Sequence, residues 1–141
     1  MLRLATTFAL LAAWMAAAHA ADPVPTGLLP ENVKPKAYRL ALTIDPAKAA
    51  FTGHTEIDAV LARPARSLFL HGNELRVGKA EVRTRQGGAP IAAKYSQVDD
   101  SGVARLDFAQ EVPAGDLTLT FDYTADFRTG AEGLFHAEVG G

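Results

Sequence analysis

Residues 36 to 61, KAYRLALTIDPAKAAFTGHTEIDAVL, decide how the rest of the chain is read. Tyr38, Leu40, Leu42 and Ile44 alternate with Arg39, Ala41 and Thr43 until Asp45-Pro46 breaks the run, and a second alternating stretch begins at Phe51. Two period-2 runs separated by a turn signal predict a β-hairpin. With Ile44 opposite Phe51, the register sets Leu40 opposite Thr55, Tyr38 opposite Ile57 and Arg39 opposite Glu56. The apolar residues Tyr38, Leu40, Leu42, Ile57 and Leu61 then share one side, and their burial is expected to stabilise the pair far more than the Arg39 and Glu56 contact does.

The same period places His54, Glu56 and Asp58 on the opposite side of the second strand. These three are the first candidates for a metal or acid/base site. His54 and Glu56 stand about 7 Å apart along the strand, a span a metal could bridge, but Asp58 is one step further and reaches poorly as a third ligand. A solvated strand face is the stronger reading.

Before the hairpin, MLRLATTFALLAAWMAAAHA carries one of the 14 Lys+Arg and none of the 16 Asp+Glu. A basic start, an apolar stretch and an Ala-His-Ala end mark residues 1–20 as a signal peptide cleaved near Ala20. The apolar run is shorter than the ~20 residues of a spanning helix, so no stable membrane anchor is expected. Export without any cysteine fits a periplasmic or secreted protein, and it excludes disulfides, thiolate zinc sites and a cysteine nucleophile. The net charge of −2 favours neither nucleic acid nor an anionic membrane as partner. Residues 21–36, with four prolines before Lys36, form an expected extended leader, and residues 37–141 the folded domain.

Beyond the hairpin the pattern stays extended. Residues 67–71 form a third run, followed by Leu75 to Val77 and Ala80 to Arg85 with Gly78 as an expected bulge, then residues 91–98, 103–108 and 116–123. Gln86-Gly87-Gly88, Asp99-Asp100-Ser101-Gly102 and Pro113-Ala114-Gly115 supply the turns. Leu117, Leu119, Phe121 and Tyr123 line one face of the clearest strand. Residues 133–139 predict one more strand, and Gly140-Gly141 the start of a turn. No helix is expected after Ala20. The fold class is therefore all-β: a twisted, saddle-like or sandwich arrangement of two sheets with roughly seven to nine mostly antiparallel strands.

Motifs for chemistry are scarce. Of the four histidines, His19 leaves with the signal, His71 sits at a strand end before Gly72, and the sequence holds no His-Glu-x-x-His. Ser67, Ser96 and Ser101 lack the Gly-x-Ser-x-Gly setting of a nucleophile elbow. Asp99-Asp100 belongs to a hairpin turn. No residue is assigned a catalytic, metal-binding or substrate-binding role; Tyr38, Leu40, Leu42, Ile57, Leu117, Leu119 and Phe121 are expected to be structural.

A resemblance adds to this reading. Residues 29–35 (LPENVKP), the strand from Tyr38 to Ile44, Phe51-Thr52-Gly53 with Ile57, residues 68–77 (LFLHGNELRV), residues 112–123 and Gly133-Leu134-Phe135 occur in the order and spacing found at the start of the M1 zinc aminopeptidases. Each motif alone is weak, yet together they cover about residues 28 to 139. Thr124-Ala125 departs from the glycine usual after the tyrosine-bearing strand, and Phe135-His136 from the common Tyr-Arg/Lys.

The resemblance implies a saddle-shaped, non-catalytic N-terminal β domain whose partner is a thermolysin-like catalytic domain. That partner would carry the Gly-x-Met-Glu-Asn motif for the substrate amine and the His-Glu-x-x-His zinc site, neither of which occurs here. Zinc and peptide substrates are thus implied for the parent enzyme, not for this chain, which is expected to be inactive alone and truncated at its C-terminal end. The alternative is a freestanding periplasmic module that binds a protein or peptide by strand addition through residues 135–139.

Overall fold

A computed structural model describes residues 23–128 and 134. Among them are seven strands and no helix: β1 (Val33–Thr43), β2 (Ala50–Leu61), β3 (Ala65–His71), β4 (Arg76–Thr84), β5 (Ile91–Gln97), β6 (Val103–Val112) and β7 (Gly115–Asp126). They form one curled sheet in the order β1-β2-β7-β4-β5-β6-β3, every neighbouring pair antiparallel. The two expected sheets are two halves of this continuous one, joined where β5 pairs with β4 on one side and β6 on the other. The expected strand over residues 133–139 lies outside the described residues, apart from Leu134.

The hairpin register is the one the alternation predicts: Tyr38 opposite Ile57, Arg39 opposite Glu56 and Leu40 opposite Thr55. The register shift between Val77 and Lys79 confirms the bulge at Gly78. Asp99 makes its turn by accepting from the Val103 amide at 2.9 Å and from Ser101 Oγ at 2.8 Å. β1 begins at Val33, inside the stretch expected to be leader, because Val33, Lys34 and Pro35 pair with Leu61, Val60 and Ala59 at the far end of β2.

Curling brings β3 and β6 over the middle strands, so Leu68, Leu106, Phe108 and Val112 pack onto Ala59, Leu61, Ala80, Val82, Leu117, Leu119 and Phe121. Leu106, Val82 and Val112 are completely buried. Leu117, Leu119 and Phe121 are thus core residues, and Ile57 packs half-buried against them. Tyr38 and Leu40 are not buried: they are 64% and 60% exposed, and Leu42 is intermediate. Their expected place in the core is corrected here. They point to the core side of the sheet, but β1 is an edge strand, and the covering layer stops short of it.

Candidate functional site

The three residues singled out on β2 do come together with partners, through the sheet rather than the hairpin alone. On the outer face Arg39 of β1 stands opposite Glu56, while β7 sets Asp122 opposite His54 and Thr118 opposite Asp58. Arg39 donates from Nε to Glu56 Oε2 at 2.6 Å, and from Nη1 and Nη2 to the two oxygens of Asp58 at 2.5 and 2.9 Å. Thr118 Oγ1 donates to Asp58 Oδ1 at 2.8 Å. The Asp58 carboxyl is consequently pulled down to about 2, first by Arg39 and then by Thr118. Arg39, with two carboxylates on its fork, is held even more firmly protonated than usual.

His54 faces the other way along the strand. Its Nδ1 lies 2.5 Å from Asp122 Oδ1, and its Nε2 is 4.0 Å from Glu56 Oε1. The pair borders an open cleft of about 430 Å³ with Arg76, Gly78 and Tyr123 along its wall. Arg76 is occupied by Asp126 through two bonds of 2.7 Å. At the opposite end Lys36 meets Asp116 at 2.6 Å, with Arg85 3.7 Å from the same carboxylate.

Chemically, this is a set of neutralised charges rather than a poised acid/base centre. The side chains of Arg39, His54 and Asp122 are about half exposed, so water screens them and little of their attraction becomes stability or reactivity. Among the described residues no group of three His, Cys, Asp or Glu could hold a metal ion. Glu56 already serves Arg39, and Asp58 points away from His54 into its own pairing. Nor does any buried side-chain nitrogen or oxygen among the described residues lack a partner, so no orphaned group awaits a ligand.

His71 ends β3 and faces solvent beside the apolar side of the sheet. Next to it, Tyr95 donates its hydroxyl to the Gly72 carbonyl at 2.5 Å. Sequence reasoning missed the bidentate Arg39 and Asp58 pair, the His54 and Asp122 pair and the Arg76 and Asp126 pair. The first had a signal, since Asp58 is the next residue along the face that already carries Glu56. The other two depend on β7 lying between β2 and β4, which no local pattern announces.

The described residues form one all-β antiparallel sheet with an ion-paired outer face. Residues 34–140 match the family model for the Peptidase M1 N-terminal domain, and the chain belongs to that family. It is 30% identical to aminopeptidase M1-D of Oryza sativa subsp. japonica over 122 residues, which are 86% of this chain and 14% of that protein. Aminopeptidase M1-B of the same plant is 26% identical over 110 residues, 78% of the chain and 12% of the relative. Endoplasmic reticulum aminopeptidase 1 of Mus musculus is 30% identical over 112 residues, 76% of the chain and again 12% of the relative. The chain therefore spans only 12–14% of the length of the curated relatives it matches.

Proposed function

We propose that this chain serves as the non-catalytic N-terminal domain of an exported M1 zinc metalloaminopeptidase, an enzyme that removes N-terminal residues from peptides. The observation that carries this reading is the family match over residues 34–140, to relatives named aminopeptidases of which the chain spans only a seventh or less. Zinc and the water it activates belong to the parent's catalytic domain, where the metal would lower the pKa of the attacking water. The described residues supply scaffold: a closed core and an outer face whose charges are already satisfied. Residues 1–20 support export to a periplasm or the medium.

The reading is tested with an antibody raised against this domain and used on the exported fraction of the source cells. It should capture a species several times larger than 14.9 kDa that releases N-terminal residues and loses that activity on zinc chelation. Capture of only a species of this chain's size, with no aminopeptidase activity, contradicts it.

A further inference from the structure

The charge pairing seen in the middle of the outer face stops at one end of the sheet. At that end β1 begins, β2 turns into β3, β4 finishes and β6 turns into β7. Lys34, Lys36, Arg63, Arg66, Arg83 and Arg85 stand on these segments, all of them exposed. Glu31, Glu111 and Asp116 are the carboxylates on the same segments. Lys36 and Arg85 share Asp116, at 2.6 and 3.7 Å. The side chains of Lys34, Arg63, Arg66 and Arg83 have no carboxylate partner among the described residues.

The opposite end is built differently. Lys48 meets Asp45 at 3.6 Å, Arg76 meets Asp126 at 2.7 Å and Arg128 meets Glu74 at 3.3 Å, so each cation there has its own carboxylate. Asp99 and Asp100, in the turn between β5 and β6, add further negative charge. The domain is therefore basic at one end and acidic at the other, a segregation that the net charge of −2 conceals. Like charges gathered without partners repel one another, and an external anion relieves that repulsion.

The layout of the basic end selects the kind of anion. Its cations are strung along the rim of β1, β2 and β4, with β7 between the last two, a span of about 15 Å at the usual strand spacing. They do not converge on one point as a site for a single small anion would. A plane of spaced negative charges fits such a rim, and the arginines among these residues suit phosphate oxygens through their planar forks. With residues 1–20 read as an export signal, the anionic plane the chain encounters is a bilayer rather than nucleic acid.

We infer that the end carrying Lys34, Arg63, Arg66 and Arg83 is a reversible contact for the phosphate-bearing surface of an anionic lipid bilayer, held by charge and without an anchor. The inference goes beyond the aminopeptidase reading and takes from it only export.

The test is co-sedimentation of the 141-residue chain with vesicles of phosphatidylcholine and with vesicles of an equal mixture of phosphatidylcholine and phosphatidylglycerol. Residues 1–20 are common to both arms and to every variant, so the readout is the ratio of the two partition coefficients. That ratio is expected to be tenfold or more at low salt and to fall toward one at high salt. Arg63→Ser and Arg83→Ser should each lower it about fivefold with the urea midpoint unmoved, since neither side chain has a partner to lose. Lys48→Ser removes the same charge from the acidic end and should leave the ratio as it is. A wild-type ratio near one overturns the inference, and so does an equal loss on Lys48→Ser, which assigns the effect to net charge alone. Retention on heparin at salt that abolishes vesicle binding assigns the patch to a soluble polyanion and overturns it too. None of these outcomes touches the family reading, which stands or falls on capture of the larger, zinc-dependent species.

Discussion

Gly53 of β2 and Tyr123 of β7 face each other across the sheet, and the ring of Tyr123 occupies the place where a Cβ on residue 53 would stand. The tyrosine is held there by its hydroxyl, 3.2 Å from Thr55 Oγ1 two residues further along β2. A glycine in mid-strand usually weakens a sheet, but here it makes room for a large side chain lying flat over its neighbour. Gly53→Ala is therefore expected to destabilise the domain by about 1–3 kcal/mol through overpacking. In a Tyr123→Ala background the same substitution should cost much less, which a double-mutant cycle in urea would read directly.

The pairing of Arg39 with Asp58 makes an acid-sensitive contribution. The Asp58 carboxyl titrates near 2 in the folded chain against an ordinary value of 3.8, so the native state binds its proton more weakly than the unfolded state does. Its stabilising effect is complete above the ordinary value and disappears as pH falls through about 2. Asp58→Asn should lower the urea midpoint at pH 5 to 7, and the gap to wild type should close progressively on acidification toward about pH 2. Arg39→Ala should raise the Asp58 titration midpoint seen by carboxyl NMR. Because both groups are partly exposed, high salt should shrink these differences.

Tyr95 ties β5 to the turn after β3 through its bond to the Gly72 carbonyl. Tyr95→Phe removes the bond and is expected to cost about 0.5–1.5 kcal/mol. Burial pushes the Tyr95 phenol up, so its ionisation in an ultraviolet titration should come above the ordinary tyrosine range. Gly72→Ala would drive a methyl into the same hydroxyl, and should be rescued in part by Tyr95→Phe.

Two leucines separate core from cover. Leu106 is completely buried beneath the curl of the sheet, and Leu106→Ala should cost about 2–5 kcal/mol, a large part of a domain's stability. Leu40, although it belongs to an equally regular alternation, is 60% exposed, and Leu40→Ala in the same chain should change stability by no more than about 0.5 kcal/mol. Chemical denaturation of the two variants side by side distinguishes these places.

That contrast shows where sequence reading stops. Alternation along residues 38–44 and 51–61 fixes the hairpin, its register and the two faces, because a strand's period is a local property. Gly78 signals a bulge for the same reason. Whether a face is covered depends on which strands lie above it, and no local period states that the sheet curls over Leu119 but not over Leu40. His54 shows the same limit: its partner Asp122 lies 68 residues along the chain, reached only because β7 inserts beside β2. Glu56, whose partner sits across the hairpin, was legible; Asp58's bond to Thr118 was not.

The central claim is that this sheet is the first domain of a larger metallopeptidase, and the nucleotide sequence beyond codon 141 tests it most directly. The account predicts that aminopeptidase coding continues downstream, with a Gly-x-Met-Glu-Asn motif followed by His-Glu-x-x-His and a later zinc-binding glutamate. A stop codon in a well-covered genome, with no aminopeptidase coding after it, would contradict the account.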